Sequence, residues 1–388
     1  MNNTVILLGY RDGIVAELTD KGYQIIYLVE KFRPALTGTK YYLVKSLEDA
    51  QEVLRCVLSL PLHTVTGVVT GLENAVFTAT LLRNMLNLPG PKDYAGALFF
   101  RDKFLQKIKL SDVVPHANCK YVTRDSDYLK LIDELGSPFI IKPSNGMGSH
   151  ATTPINSNLE FEDYLKKYVN NEGSVAFVVE NKIIGNEFCV DGIWSNGQLH
   201  WFSISQYATS LMRCHIEKLP TIQILSRHDF PDLYRQIEQL CSRALEQLNA
   251  SNGVFHLEFF ENDEGVFFSE CALRPGGARI PEMIKLAYNV DLYHAHTALS
   301  MGLPYEQHLP LHPSMLFAVV LLRSFEGVTL TKDDFYNNFD IAELNWTEDV
   351  HAQSHSIHRC TGYAIIKHKD HRTLENNVSK LVAFTGAR

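Results

Sequence analysis

The chain has 388 residues, enough for two or three domains and a sizeable core, and its 45% hydrophobic and 21% charged residues are ordinary for a globular protein. A net charge of -8 with no basic cluster argues against nucleic acid as the main partner. No run reaches the ~20 apolar residues of a membrane span, residues 1–9 read as a first strand rather than a signal peptide, and seven scattered cysteines read as reduced thiols of a cytoplasmic protein.

In chain order, Val5 to Leu8, Gln24 to Val29, Tyr41 to Val44 and Gly67 to Thr70 are short apolar strands. Helical stripes follow, with Leu47, Leu54, Val57 and Leu58 on one and Ala75, Ala79, Leu82 and Leu86 on another. Alternation of this kind predicts a small parallel α/β sheet. Gly9 to Gly13 lacks the glycine spacing of a dinucleotide fingerprint, so a nicotinamide or flavin reading has little support. Leu88-Pro89-Gly90-Pro91 reads as a linker, Leu98 to Leu110 as one helix, and Pro138 to Lys142 as a strand entering a turn with glycines at 146 and 148. Phe177 to Glu180, Glu187 to Trp194 and Leu199 to Gln206 are expected antiparallel strands, the last two joined by a tight turn at Asn196-Gly197. Leu233, Ile237, Leu240, Ala244 and Leu248 mark a long helix beginning near Pro231.

The most informative segment is the expected hairpin of Val254 to Phe260 and Val266 to Glu270. A three-residue loop of Asp263, Glu264 and Gly265 sets Glu258 directly opposite Glu270, with side chains about 5 Å apart. Phe255, Leu257 and Phe259 then point the other way into packing. Two carboxylates at that separation repel by about 3 kcal/mol at an effective dielectric near 20, and a divalent metal turns the repulsion into a site. An arbitrary hairpin more often carries such residues as a solvated face, but Arg274 and Gly276-Gly277 follow at once. The second feature is Ile140 to Ser149, where a strand delivers Lys142 and the glycine turn exposes backbone N–H groups able to cradle phosphate oxygens. By itself this turn is equally readable as an ordinary hairpin loop, because the Gly-Lys-Ser/Thr of a P-loop is absent.

Taken together, Arg101-Asp102-Lys103, Ile141-Lys142-Pro143 with its glycine loop, Val178 to Glu180 with Gly185 to Asp191, and Glu270 to Gly277 resemble the ATP-grasp enzymes. Within them the chain looks most like the carboxylate-amine ligases that include bacterial L-amino acid ligases, and the resemblance covers most of its length. It implies an α/β (α+β) ATP-grasp architecture. A small parallel α/β domain at 1–92 leads, a lid domain with the glycine loop follows at 93–174, and a catalytic domain spans 175–388, with a subdomain from about 313. The two later domains are expected to carry small mixed or antiparallel sheets that grip ATP.

The resemblance also implies roles. Lys103, Lys142, Ser144, Gly146, Gly148 and Ser149 would meet the phosphates, Glu180 and Asn181 the adenine, and Glu187 the ribose. Glu258 and Glu270 would hold Mg²⁺ or Mn²⁺, and Arg274, with Lys142, would serve the chemistry. Glu73, Arg213, His215, Gly277 and Arg279 are substrate candidates, although loop polarity or helix capping explains Arg213, His215 and Arg279 equally well. Ala272 stands where many such enzymes place a third metal ligand, asparagine, so water or a bidentate carboxylate must replace it.

The implied reaction joins a small amino-acid-like carboxylate to an amine through an acylphosphate, releasing ADP and phosphate, with a homodimer left open. No nucleophile elbow or Cys-His signature competes with it. Neither His294 with His296 nor His368 with His371 has the spacing of a zinc site. Alternatives are a carboxylase-like enzyme activating bicarbonate, a ligase loading a carrier protein, and a non-catalytic nucleotide-binding regulator.

Overall fold

The computed structural model describes residues 3–148, 150–169, 176–209, 220–322, 330–346 and 362–385. Four parallel strands, β1 (Thr4–Leu8), β2 (Gln24–Val29), β3 (Lys40–Leu43) and β4 (Val65–Thr70), form a leading sheet in the order β3-β2-β1-β4. Every residue of β1 is buried because helices cover both faces, which is why it reads as an unbroken apolar run. Ile6 and Leu8 pack against Val53, Val57, Ala79 and Leu82 of helices Ala50–Leu58 and Val76–Met85. On the other face, Val5 and Leu7 pack against Ile14 and Leu18 of helix Asp12–Asp20.

The helix expected over Leu98 to Leu110 is two helices, Tyr94–Phe99 and Lys103–Leu110. Asp102 interrupts it: its backbone is extended, and its carboxylate accepts the amides of Phe104 and Leu105, as a helix N-cap does. Lys103 thereby becomes the first helical residue. The lid sheet follows, with β5 (Cys119–Val122), β6 (Phe139–Pro143), β7 (Thr153–Ile155) and β8 (Phe177–Asn181) in the order β5-β8-β6-β7, all antiparallel. Since β8 lies between β5 and β6, this sheet continues past the expected boundary at residue 174. Phe139, Phe161 and Phe177 fill its core.

The third sheet has eight antiparallel strands: β9 (Asn186–Ser195), β10 (Gln198–Tyr207), β11 (Thr221–Ile224), β12 (Gly253–Asn262), β13 (Gly265–Ala272), β14 (Leu316–Leu322), β15 (Ile341–Asn345) and β16 (Gly362–His368). Their order is β13-β12-β9-β10-β11-β14-β16-β15. Residues after 313 therefore extend the same sheet instead of forming a layer of their own. The expected turn at Asn196-Gly197 is present, with both residues at positive φ. The helix Pro231–Gln247 buries Leu233, Ile237, Leu240 and Ala244 against one face. Helices Ile280–Tyr288, Leu292–Ser300 and His371–Phe384 cover the other.

Candidate functional site

The two glutamates are paired as the sequence suggests, by a different route. Glu258 is opposite Glu270 and Leu257 opposite Cys271, but Phe259 faces Phe268 and Asn262 faces Gly265. The loop has two residues rather than three, and the extra residue, Ser269, is absorbed as a bulge between Phe268 and Glu270. Bulges of this kind re-aim side chains next to functional sites. Phe255, Leu257 and Phe259 are fully buried beneath. Burial first, and then the Glu258 carboxylate, push the Glu270 carboxyl above its usual range, while Lys103 and Lys142 pull the other way. A pair of hard oxygen donors facing one cavity suits Mg²⁺, which binds through one or two carboxylates plus phosphate oxygens.

The cavity has a volume of about 530 Å³ and lies between the lid and the β12–β13 hairpin. Lys103, Lys142, Gly146, Gly148, Glu180, Asn181, Glu187, Glu258 and Glu270 all line it. Lys103 Nζ reaches Glu270 Oε2 at 3.1 Å and donates to Gly146 O at 2.7 Å, so it ties the glycine loop to the hairpin. Ser144 departs from expectation. Its hydroxyl is buried and donates to Asp102 Oδ2 at 3.1 Å, so it anchors the loop to the helix cap instead of lining the cavity. Ser149, Arg213 and His215 lie outside the described residues.

Glu180 is the partner of two lysines. Its Oε2 meets Lys142 Nζ at 3.0 Å and Lys107 Nζ at 2.6 Å, all three side chains being buried. Burial opposes its charge, but the two ammonium groups hold the carboxyl down at about 2. Burial lowers the Lys107 ammonium despite Glu180, because one carboxylate must serve two cations. Asn181 Oδ1 accepts the Asn118 amide at 2.6 Å.

Beyond the glutamates, Arg274 Nη2 lies 2.5 Å and Nε 3.2 Å from Glu73 Oε2, and Glu73 Oε1 is 3.5 Å from Arg101 Nη1. Both oxygens of Glu73, a substrate candidate from the sequence, are thus held by arginines. Burial works against the Arg274 charge, yet Glu73, followed by Glu270 and Glu258, keeps its pKa above the ordinary value. Arg279 occupies the cap position of helix Ile280–Tyr288, one of the two roles expected of it, but without a side-chain cap bond. Its guanidinium sits 2.9 Å from Glu282 Oε1 and over the Tyr363 ring. Gly277 lies in the loop after Arg274 with open space where a Cβ would stand.

Sequence reasoning passes over several residues here. Lys107 is one helical turn beyond Lys103 and looks like a surface lysine. Arg11 donates to the carbonyls of Gly71, Pro275 and Gly276, joining the leading sheet to the Arg274 loop. Cys189, Asp191 and His256 cluster beside Glu258 on the same sheet face, all three buried, with ligand atoms within 4.8 Å of one another. Asp191, and after it Glu258, raise the His256 imidazole to about 10 against the effect of burial.

Residues 135–282 match the family model of the ATP-grasp domain. Among relatives, it is 28% identical over 272 residues to the L-arginine-specific L-amino acid ligase of Bacillus subtilis, a match covering 67% of this chain and 64% of that protein. The chain therefore aligns with somewhat under two thirds of that relative's length. Among solved structures, an L-amino acid ligase from Bacillus licheniformis superposes with a TM-score of 0.79 at 17% identity, covering 98% of this chain and 97% of that one. An ADP complex of N5-carboxyaminoimidazole synthetase from Staphylococcus aureus gives 0.72 at 15% identity, covering 98% and 97%. At identities this low, these superpositions show a shared mixed α/β fold and no more.

Proposed function

We propose that the chain is an ATP-dependent ligase that joins a carboxylate to an amine, both small and amino-acid-like, through an acylphosphate. The observation that carries this reading is one cavity where Glu258 and Glu270 face Lys103 and Lys142, with Arg274 beside them. The match to an L-amino acid ligase supports the substrate class. In this reading the units are 1–92, a lid from 93 extended to Asn181, and the remainder.

Glu180 and Asn181 meet the nucleobase, Glu187 the ribose, and Gly146 and Gly148 the phosphates. Lys103 and Lys142 act as point charges on phosphate oxygens. Glu258 and Glu270 would hold Mg²⁺ or Mn²⁺, which supplies neutralisation of phosphate charge. A substrate carboxylate oxygen attacks the γ-phosphorus, an O–P bond forms, and the bond to the β–γ bridging oxygen breaks as ADP leaves with its electron pair. The amine nitrogen then attacks the acyl carbon, C–N forms, C–O breaks, and phosphate departs while the amine proton passes to solvent. Positioning and charge stabilisation suffice for both steps. Arg274, held by Glu73, faces the oxyanion that develops during the second.

The test is ADP release over a panel of amino-acid pairs, with and without bicarbonate and formate. Release that needs an amino-acid pair is expected, with one ¹⁸O from a labelled substrate carboxylate appearing in the phosphate. Release driven by bicarbonate alone would move the reading to a carboxylating enzyme, and AMP with pyrophosphate would overturn the acylphosphate route. Nucleotide binding without turnover would favour a regulator.

A further inference from the structure

Asp191 and His256 lie beside Glu258 on the same face of the sheet, and the reactions above give them no task. They face each other on neighbouring strands, Asp191 in β9 and His256 in β12, with exposures of 1% and 7%. His256 Nδ1 is 3.1 Å from each Asp191 oxygen. A carboxylate only accepts hydrogen bonds, so Nδ1 carries a proton. The ring is thereby oriented with Nε2 toward Glu258 Oε1, 3.5 Å away.

The same carboxylate has a second duty. The Gly276 amide donates to Asp191 Oδ1 at 3.0 Å, and Gly276 is two residues past Arg274. A Cβ at 276 would fall 2.4 Å from Asp191 Oδ1 and 2.9 Å from His256 Nδ1, so the loop comes this near only because the residue is glycine. On its outer side, Arg11 grips the carbonyls of Pro275 and Gly276.

We propose that Asp191 and His256 are positioning residues: one buried carboxylate sets the imidazole that orients Glu258 and the amide that fixes the loop bearing Arg274. Metal affinity and the placement of Arg274 are then coupled through side chains that touch neither nucleotide nor substrate. The proposal rests on the ligase reading, in which Glu258 is a metal ligand.

Three variants test it, with Mn²⁺ binding to the protein–ADP complex followed by electron paramagnetic resonance and metal-free ADP binding followed by a fluorescent analogue. His256→Asn keeps a donor for Asp191 but ends short of Glu258, and should weaken Mn²⁺ binding by about 10-fold. His256→Gln reaches Glu258 and should recover most of that loss. Gly276→Ala, which alters no ligand, should also weaken Mn²⁺ binding by pushing Asp191 and His256 apart. Metal-free ADP affinity and the melting temperature are expected to stay near wild type in His256→Gln. Wild-type Mn²⁺ affinity in His256→Asn, or equal losses in the Asn and Gln variants, overturns the positioning role. A wild-type protein that binds neither ADP nor Mn²⁺ overturns the ligase reading, a separate result visible before any variant is made.

Discussion

Arg274 and Glu73 are separated by 201 residues yet meet at 2.5 Å, so the short helix that follows β4 supplies the counter-ion of Arg274. Arg101 holds the other oxygen of Glu73, at 3.5 Å, and itself pairs with Glu48. A planar guanidinium held on one edge is presented in a defined orientation, which an ammonium on a flexible stem is not.

Arg274→Met should therefore lower kcat by on the order of 10²-fold while ATP binding weakens much less, since the charge it stabilises develops only in the transition state. Lysine should rescue in part. Glu73→Gln leaves the guanidinium present but poorly held, and a fall in kcat of about 10-fold is expected from misorientation alone. Steady-state kinetics with a separate nucleotide-binding titration distinguish these effects, and an Arg274→Met enzyme with wild-type kcat would remove Arg274 from the chemistry.

Glu270→Gln should abolish Mg²⁺-dependent turnover and leave the fold intact. Burial and Glu258 both disfavour the Glu270 charge, so the neutral amide relieves a cost that the contact with Lys103 only partly offsets. The melting temperature in metal-free buffer should hold or rise. Retained Mg²⁺-dependent turnover would refute the metal assignment.

Gly148 has φ near +56° and lines the cavity. A β-branched residue is strained in that conformation, and its side chain would stand between backbone amides and phosphate. Gly148→Val should raise the apparent KM for ATP or lower kcat, with little change in affinity for the amine. Unchanged ATP parameters would remove the phosphate-cradle role.

His296 gives a pH signature. It is buried, its Nε2 donates to Thr70 O at 2.6 Å, and burial lowers its pKa to about 4 from 6.5. Above pH 6.5 neither the folded nor the unfolded form is protonated. As pH falls toward 4, the unfolded chain takes up a proton that the native state refuses. The native state then loses up to about 3 kcal/mol. His296→Gln keeps a donor for Thr70 and should flatten this part of the profile. Denaturant unfolding at several pH values, wild type against variant, reads the difference, and parallel curves would refute it.

Much of this was legible from the chain. The parallel leading sheet, two of the four lid strands (β6 and β8) and the facing of Glu258 and Glu270 follow from apolar runs, turn residues and period-two alternation. The bulge was not, because nothing in Phe267-Phe268-Ser269-Glu270 marks which residue will be left over. The break at Asp102 had a signal, an N-cap residue type inside an apolar stripe, that the periodicity of Leu98 to Leu110 masked. Lys107, Asp191 and His256 were hidden for a common reason: each is a polar residue at a position that local spacing allows to face solvent. Only the arrangement of strands and helices brings the partner that buries it.

Ser269 also determines where this hairpin tolerates shortening. Deleting it would leave Phe268 opposite Phe259 and Glu270 opposite Glu258, because the ladder on either side is already in its regular alternation. Only the local bend would be lost. Deleting any other residue of β13 would turn part of the strand inside out. Length variation among related sequences should therefore concentrate at this one position and in the exposed turn at Asp263-Glu264, where a change in loop length can be met by gaining or losing the bulge without moving either carboxylate.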